Sequence, residues 1–301
     1  MPAGGVWDLS SPSNLTEALP FWGTPTAAVN FCEEDYVITK FVAEFFNTLT
    51  SLAYIAYGIH GIRRYKRQDV SLFSTPNLSY WALICVGIFS GLYHTTLKYH
   101  TQMSDELSMH LAMGSVLLQI FTFNEPPAIQ RRNTAIILGV LIPFVIYHCL
   151  TDEFVAHVVL FFCMCWIVGF RTRWIIKTRI RNEQHRKKVG GMLTRATWTA
   201  LVGYGIWNID VNFCPAVTRL KQQVGMPWAV LLELHGYWHI LTAIAAYMFM
   251  AIIEFLLSPE EVESRGVGFA WPARKVLRDI APPKVAEKLA NGDANGHVKT
   301  Q

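Results

Sequence analysis

The sequence predicts an all-α fold: a seven-transmembrane helix bundle with a lumenal amino terminus and a cytosolic carboxyl terminus. Three observations carry this. Of 301 residues, 52% are hydrophobic and 16% charged, against roughly 25% charged in soluble domains. Seven stretches between residues 37 and 257 approach the ~20 mostly apolar residues that cross a hydrocarbon core. Lys and Arg collect in alternate connections, as they do on the cytoplasmic side of membrane proteins. Six scattered cysteines without a CxxC pair exclude a disulfide scaffold and a zinc ribbon, and a net charge of +4 does not point to nucleic acid.

Residues 1–36 are polar and hold no Lys or Arg, so the basic start of a cleavable signal peptide is missing. The first span is expected to act as its own insertion signal. Spans are placed at 37–62, 79–98, 106–123, 134–150, 154–171, 195–213 and 227–257. Only Thr151, Asp152 and Glu153 separate the fourth from the fifth, which forces an antiparallel hairpin. The connections after the first, third and fifth spans, with the tail, carry 22 of the 26 Lys and Arg. Lys98, Arg219 and Lys221 fall on the other side, and Lys40 falls within the first span. The basic run at 171–188 reads as a cytosolic loop drawn to anionic lipid. The tail, 258–301, is mixed in charge and contains Pro and Gly, the composition of a partly disordered segment.

Ionisable groups inside spans are costly, so each is a functional-site candidate. They include Glu44, His94, Asp105, His110, His148, His157, Asp210, Glu233, His235 and His239. Metal ligands, a proton path, helix-to-helix hydrogen bonds and water-facing positions all compete to explain them. The sharpest feature is HxxxH at His235 and His239, because residues i and i+4 share a helical face and can take adjacent corners of a zinc tetrahedron. The plain alternative is two histidines satisfied by neighbouring helices. Ser90 and His94 have the same spacing, near the outer end of the second span. His235 is expected about 12 Å below the outer surface, at 1.5 Å per residue, and Asp105 opens the third span at that end. Three histidines, a carboxylate and a hydroxyl therefore converge in the outer half of the bundle. Three protein ligands with an open position make a catalytic zinc site, with Asp105 placed to act on water and Ser90 to bond the oxyanion. Such a site, open to lipid, suits hydrolysis of a lipid amide or ester. His100 and His110 are left outside it. His148 and His157 flank the tight turn and are read as lying near water or satisfied by neighbouring helices.

Asn30, Glu33, Glu34, Asp35 and Glu44 place five oxygen-bearing side chains next to the first span. Calcium takes six to eight oxygen ligands, yet a solvated acidic loop has the same composition. Glu44 argues for a partner, because it is expected about two turns into an apolar span.

FWG at 21–23, NFCEEDYVITKFVAEFFNT from Asn30 to Thr48, YHTTLKYHTQMSDEL from Tyr93 to Leu107, WNID followed by Cys214, and HGYWHILT from His235 to Thr242 together resemble the alkaline ceramidase family, most of all its phytoceramidase type. The resemblance implies hydrolysis of the N-acyl amide of ceramide to a sphingoid base and a fatty acid, in an endoplasmic reticulum or Golgi membrane. It implies zinc (Zn2+) on His94, His235 and His239 with Ser90 and Asp105 as catalytic partners. It also implies calcium (Ca2+) on Asn30, the Phe31 carbonyl, Glu33, Asp35 and Glu44. The family pattern has Asp-Trp in place of Asn30-Phe31 and Asn in place of Asp35, which leaves the carboxylate count unchanged, so calcium binding with altered affinity is expected. Cys32 and Cys214 match two family cysteines at the outer ends of their spans, and a disulfide there would pin the amino-terminal loop to the bundle. Cys85, Cys149, Cys163 and Cys165 are expected as buried free thiols. A zinc-containing receptor of the adiponectin or progestin receptor type, and a proton or ion transporter, remain competing classes. The NFCEEDY and WNID segments favour the ceramidase over the receptor.

Overall fold

Glycines let the first two helices touch backbone to backbone. A Cβ on Gly87 would lie 2.8 Å from the Ser51 carbonyl oxygen, and one on Gly58 the same distance from that of Tyr80. Small residues at such seams are how membrane helices associate, since lipid is as apolar as a leucine side chain. A computed structural model describes residues 20–66, 75–258 and 267–280. Its long helices are α1 (Phe45–Lys66), α2 (Thr75–Thr96), α3 (Tyr99–Thr122), α4 (Pro127–Thr151), α5 (Phe154–Arg179), α6 (Glu183–Val224) and α7 (Leu234–Leu257), followed by a short α8 (Ala273–Leu277). No strand occurs among the described residues.

Helix α1 lies between α2 and α7, α3 packs on α2, and α6 packs on α7, while α4 and α5 flank α3. Among the described residues, four segments are both long and apolar enough to cross a membrane: 77–96 within α2, and α4, α5 and α7. Helix α4 turns its apolar residues outward, with Ile136, Val140, Ile142 and Ile146 between 52% and 58% exposed. A helix apolar on its outer face is solvated by hydrocarbon, so the protein is a membrane protein.

The helix ends differ from the sequence expectation in ways that have physical causes. Residues 37–44 are not helical, because the N–H groups of Ala43 and Glu44 donate to the carbonyls of Thr95 and His94 at the end of α2 (3.0 and 2.9 Å). Glu44 therefore sits just before α1 instead of two turns inside it, and Lys40 lies in the loop. Asp105 lies in the second turn of α3, which begins at Tyr99 with polar residues such as Gln102 directed inward. Helix α6 runs 42 residues and kinks at Phe213, two positions before Pro215, which cannot donate to the ladder and crowds the preceding turn. His235 is the second residue of α7, so overlying loops, not depth along a span, bury it. Cys149 and Cys163 are exposed and Cys85 and Cys165 half-buried, so these thiols lie toward the outside of the bundle more than the buried reading allowed.

At the end of the bundle away from the histidine pair, part of the tail is docked. Arg64 pairs with Glu254 and stacks its guanidinium 3.8 Å from the Phe269 ring centre. The Ala270 N–H donates to Tyr247 Oη (2.8 Å). Phe269, Ala273 and Leu277 are buried there.

Candidate metal centre

The end of α2 and the first turns of α7 bring His94, His235 and His239 together. All three are buried, and one nitrogen from each lies within 4.8 Å of the others. Their ring centres are 4.6 to 5.1 Å apart. The surroundings fix which nitrogen is available. His94 Nδ1 donates to the Glu44 carboxylate, and its Nε2 is buried with no partner. His239 Nδ1 is 3.1 Å from the Asn47 carbonyl, an acceptor that leaves Nε2 as the lone-pair nitrogen. His235 Nδ1 is buried without a partner. Ligating imidazoles usually donate their other N–H to a carboxylate or carbonyl, and orphaned buried nitrogens are rare. The donor set therefore fits zinc, with three protein ligands and room for a fourth.

Ser90 lies beside this group, and Asp105 shares a cavity with it. Ser90 Oγ is 3.4 Å from His239 Nε2 and 3.0 Å from Ser51 Oγ. Asp105 lines a cavity of ≈ 80 Å³ together with Ser90, His235 and His239. Aromatic side chains make much of its wall, among them Phe161, Phe162, Tyr204, Trp207 and Trp238.

Sequence reasoning missed the support supplied by α1. Thr50 Oγ1 is 3.0 Å from His239 Nδ1, and Asn47 Nδ2 donates to Glu44 Oε2 (3.1 Å). Glu44, Asn47 and Ser51 recur at i, i+3 and i+7, a polar stripe on one face of an apolar segment, and that stripe was the available signal. His100 is exposed on the first turn of α3. His148 and His157, expected near water or satisfied by neighbouring helices, are both buried; His148 Nε2 bonds Glu106 of the neighbouring α3 (2.6 Å), while Nδ1 of each has no partner.

The acidic segment wraps over the triad. Phe31 packs on His235 with ring centres 3.6 Å apart and planes tilted by 30°. Its N–H lies 2.9 Å from Asn30 Oδ1 and 3.3 Å from Glu44 Oε1. Asn30 Nδ2 donates to Asp35 Oδ2 (3.1 Å), and Asp35 Oδ1 is buried with no partner. Glu33 accepts from the N–H groups of Phe46 and Asn47 (2.7 and 2.9 Å), which are open N–H groups at the start of α1. Burial pushes the Glu33 carboxyl up to about 8, with the charges of Glu233 and Glu44 adding to the effect. Asp35 rises to about 6 through burial and the charge of Glu44. These side chains are hard oxygen donors of the kind calcium takes, and Asp35 Oδ1 is free to serve as one. The fit is looser than for zinc. Among the described residues, only the His94, His235 and His239 triad and a group of Glu106, His148 and His157 bring three His, Cys, Asp or Glu ligand atoms within 4.8 Å.

The loop is also covalently fixed. Cys32 and Cys214 form a disulfide with Cα atoms 5.2 Å apart. Around it, Cys32 N–H donates to Asp210 Oδ2 (3.0 Å), and buried Lys221 donates to the Cys32 carbonyl (3.0 Å) and to Glu233 (2.6 Å). The bond joins residues 182 apart, so Cys32→Ser is expected to cost about 2–5 kcal/mol. A drop in melting temperature, with zinc content retained at low temperature, checks this.

The Ceramidase family profile matches residues 23–282, a stretch that contains every residue of both candidate metal groups. The chain belongs to the Ceramidase family. This ceramidase-family chain is 29% identical over 234 residues to alkaline ceramidase 3 of Mus musculus, covering 76% of this chain and 83% of that one. It is 27% identical over 249 residues to alkaline ceramidase YPC1 of Saccharomyces cerevisiae, covering 78% of each. An alkaline ceramidase of Arabidopsis thaliana matches at 27% over 232 residues, 75% of this chain and 82% of that one.

Proposed function

We propose that this ceramidase-family protein is a zinc-dependent amidase that hydrolyses ceramide, as phytoceramide or a related form, to a sphingoid base and a free fatty acid. One observation carries the reading: three buried histidines with available nitrogens converge beside Ser90 and Asp105 on a cavity walled by aromatic side chains. His94, His235 and His239 would hold the ion, which when bound lowers the pKa of water towards neutrality and polarises a carbonyl. Asp105 takes the proton of the attacking water and returns it to the leaving amine. Ser90 donates its hydroxyl to the carbonyl oxygen as negative charge develops there. Glu44 and Asn47 hold two of the imidazoles in register by accepting their Nδ1–H groups. The aromatic wall receives the lipid chains and keeps bulk water from the amide. Calcium on Asn30, Phe31, Glu33, Asp35 and Glu44 would neutralise the loop above the site.

The same reading makes all seven long helices spans. Their number, and the placing of 22 of 26 Lys and Arg in alternate connections and the tail, support a lumenal amino terminus in the endoplasmic reticulum or Golgi. Two glycosylation sequons report on this, Asn14-Leu15-Thr16 and Asn77-Leu78-Ser79. Asn14 lies outside the described residues. Asn77 falls on the cytosolic side and is fully buried in α2, so glycan mapping in cells is expected to find it unmodified. A glycan at Asn77 would reverse the orientation.

The activity itself is tested by incubating the purified protein with a ceramide carrying a fluorescent acyl chain, with and without a zinc chelator. Release of fatty acid that the chelator stops is the expected result. No release by zinc-replete protein, together with specific binding of an extracellular ligand, would favour the receptor class.

A further inference from the structure

Three more ligand-type side chains meet inside the bundle, each from a different helix: Glu106 of α3, His148 of α4 and His157 of α5. All are buried, and one ligand atom from each lies within 4.8 Å of the others. Glu106 Oε2 is 2.6 Å from His148 Nε2 and 4.0 Å from His157 Nδ1. The longer spacing is no hydrogen bond, and His157 Nδ1, aimed at the carboxylate, has no partner on a side chain only 5% exposed. Ligand atoms on a zinc tetrahedron stand about 3.4 Å apart when bonds are near 2.1 Å. The two observed spacings straddle that value and all three ligand atoms lie within 4.8 Å of one another, so shifts of about an ångström would seat one ion between the three groups.

We propose that Glu106, His148 and His157 form a second divalent-cation site, of the two-histidine, one-carboxylate type, separate from the His94, His235 and His239 centre. Two imidazoles and one carboxylate suit zinc or a similar transition ion over calcium, which prefers oxygen alone. The carboxylate is already held as a ligand needs to be: Gln102 Nε2 donates to Glu106 Oε1 (2.9 Å), and Gln102 is itself fixed by accepting the Ala28 N–H (2.8 Å). Phe144 stacks on His148 with ring centres 5.5 Å apart, which sets that ring's plane. Glu106 and His157 line the same cavity as Ser90, Asp105 and His239. The open coordination position of the second ion therefore faces the space where the first centre works. There it would take an oxygen of the occupant, a lipid hydroxyl or carboxylate. The lipid occupant rests on the lipid-hydrolase reading; the cation site does not.

The test uses the full-length protein in detergent, stripped with a chelator and titrated with Co2+, whose visible absorption reports tetrahedral nitrogen and oxygen coordination. The wild type is expected to take up two ions and Glu106→Gln one. His239→Ala, which disables the first centre, is expected to keep roughly one cobalt with a tetrahedral spectrum, and adding His148→Gln to it should remove that spectrum. A wild type that saturates with a single ion, or a stoichiometry unchanged by Glu106→Gln, would overturn the proposal and leave a metal-free hydrogen-bonded pair of His148 and Glu106. Ceramide turnover is not read, so failure of the hydrolase reading leaves this result independent.

Discussion

Ala at any one of His94, His235 or His239 is expected to abolish ceramide hydrolysis, a fall of more than about 10³-fold where the metal supplies both the nucleophile and the polarised carbonyl. It is also expected to lower bound zinc. Each imidazole presents one buried nitrogen to a shared point, and two remaining ligands hold zinc far more weakly than three. Asp105→Asn separates the roles. Its carboxylate lines the cavity and is not one of the three clustered ligands, so the variant is expected to keep its zinc while losing about 10²–10⁴-fold in turnover, the usual worth of a positioned acid or base. Metal analysis run beside the fatty-acid assay distinguishes the two classes. An Asp105→Asn protein that loses zinc with its activity would make Asp105 a ligand instead.

Glu44→Ala is expected to produce the second largest effect, because one side chain supports His94 and belongs to the proposed calcium set. Its carboxylate accepts from His94 Nδ1 and from Asn47 Nδ2 and lies 3.3 Å from the Phe31 N–H. Removing it leaves a buried imidazole N–H unpaired, and losing such a partner typically costs 10–100-fold in metal affinity. It also deletes the carboxylate proposed to bind calcium where the loop meets the bundle. Added calcium is expected to raise the melting temperature of the wild type and not that of Glu44→Ala. Asn30→Asp restores the family's carboxylate, so it is expected to tighten calcium binding in calorimetry. Weaker binding by Asn30→Asp, or none by the wild type, would remove calcium from the account and leave the zinc chemistry in place.

How far the sequence could be read depends on whether a feature is local. HxxxH at His235 and His239 was legible because i and i+4 share a helical face in any context. The apolar runs located the helices, although the 42-residue α6 with its kink at Phe213 extends well beyond the apolar stretch at 195–213. Residues 37–44 misled, since Val37, Ile38, Phe41 and Val42 are as apolar as the helix that follows. Their non-helical path comes from bonds to the end of α2, which no local pattern encodes. Glu106, His148 and His157 were illegible as a group for the same reason: three helices deliver them, and only tertiary packing brings His148 and His157 to the glutamate. The disulfide lay between these cases, carried by the family resemblance of Cys32 and Cys214 and then formed in the structure.

The central claim is that hydrolysis runs on zinc held by the histidine triad. Its most direct measurement is the rate of fatty-acid release from ceramide by metal-stripped protein as zinc is added back, with bound zinc assayed in the same samples. The account expects no release from the stripped protein, recovery of the full rate as zinc returns, and no recovery for His239→Ala at any zinc concentration. Full turnover by protein carrying no zinc, or by His239→Ala, would contradict it.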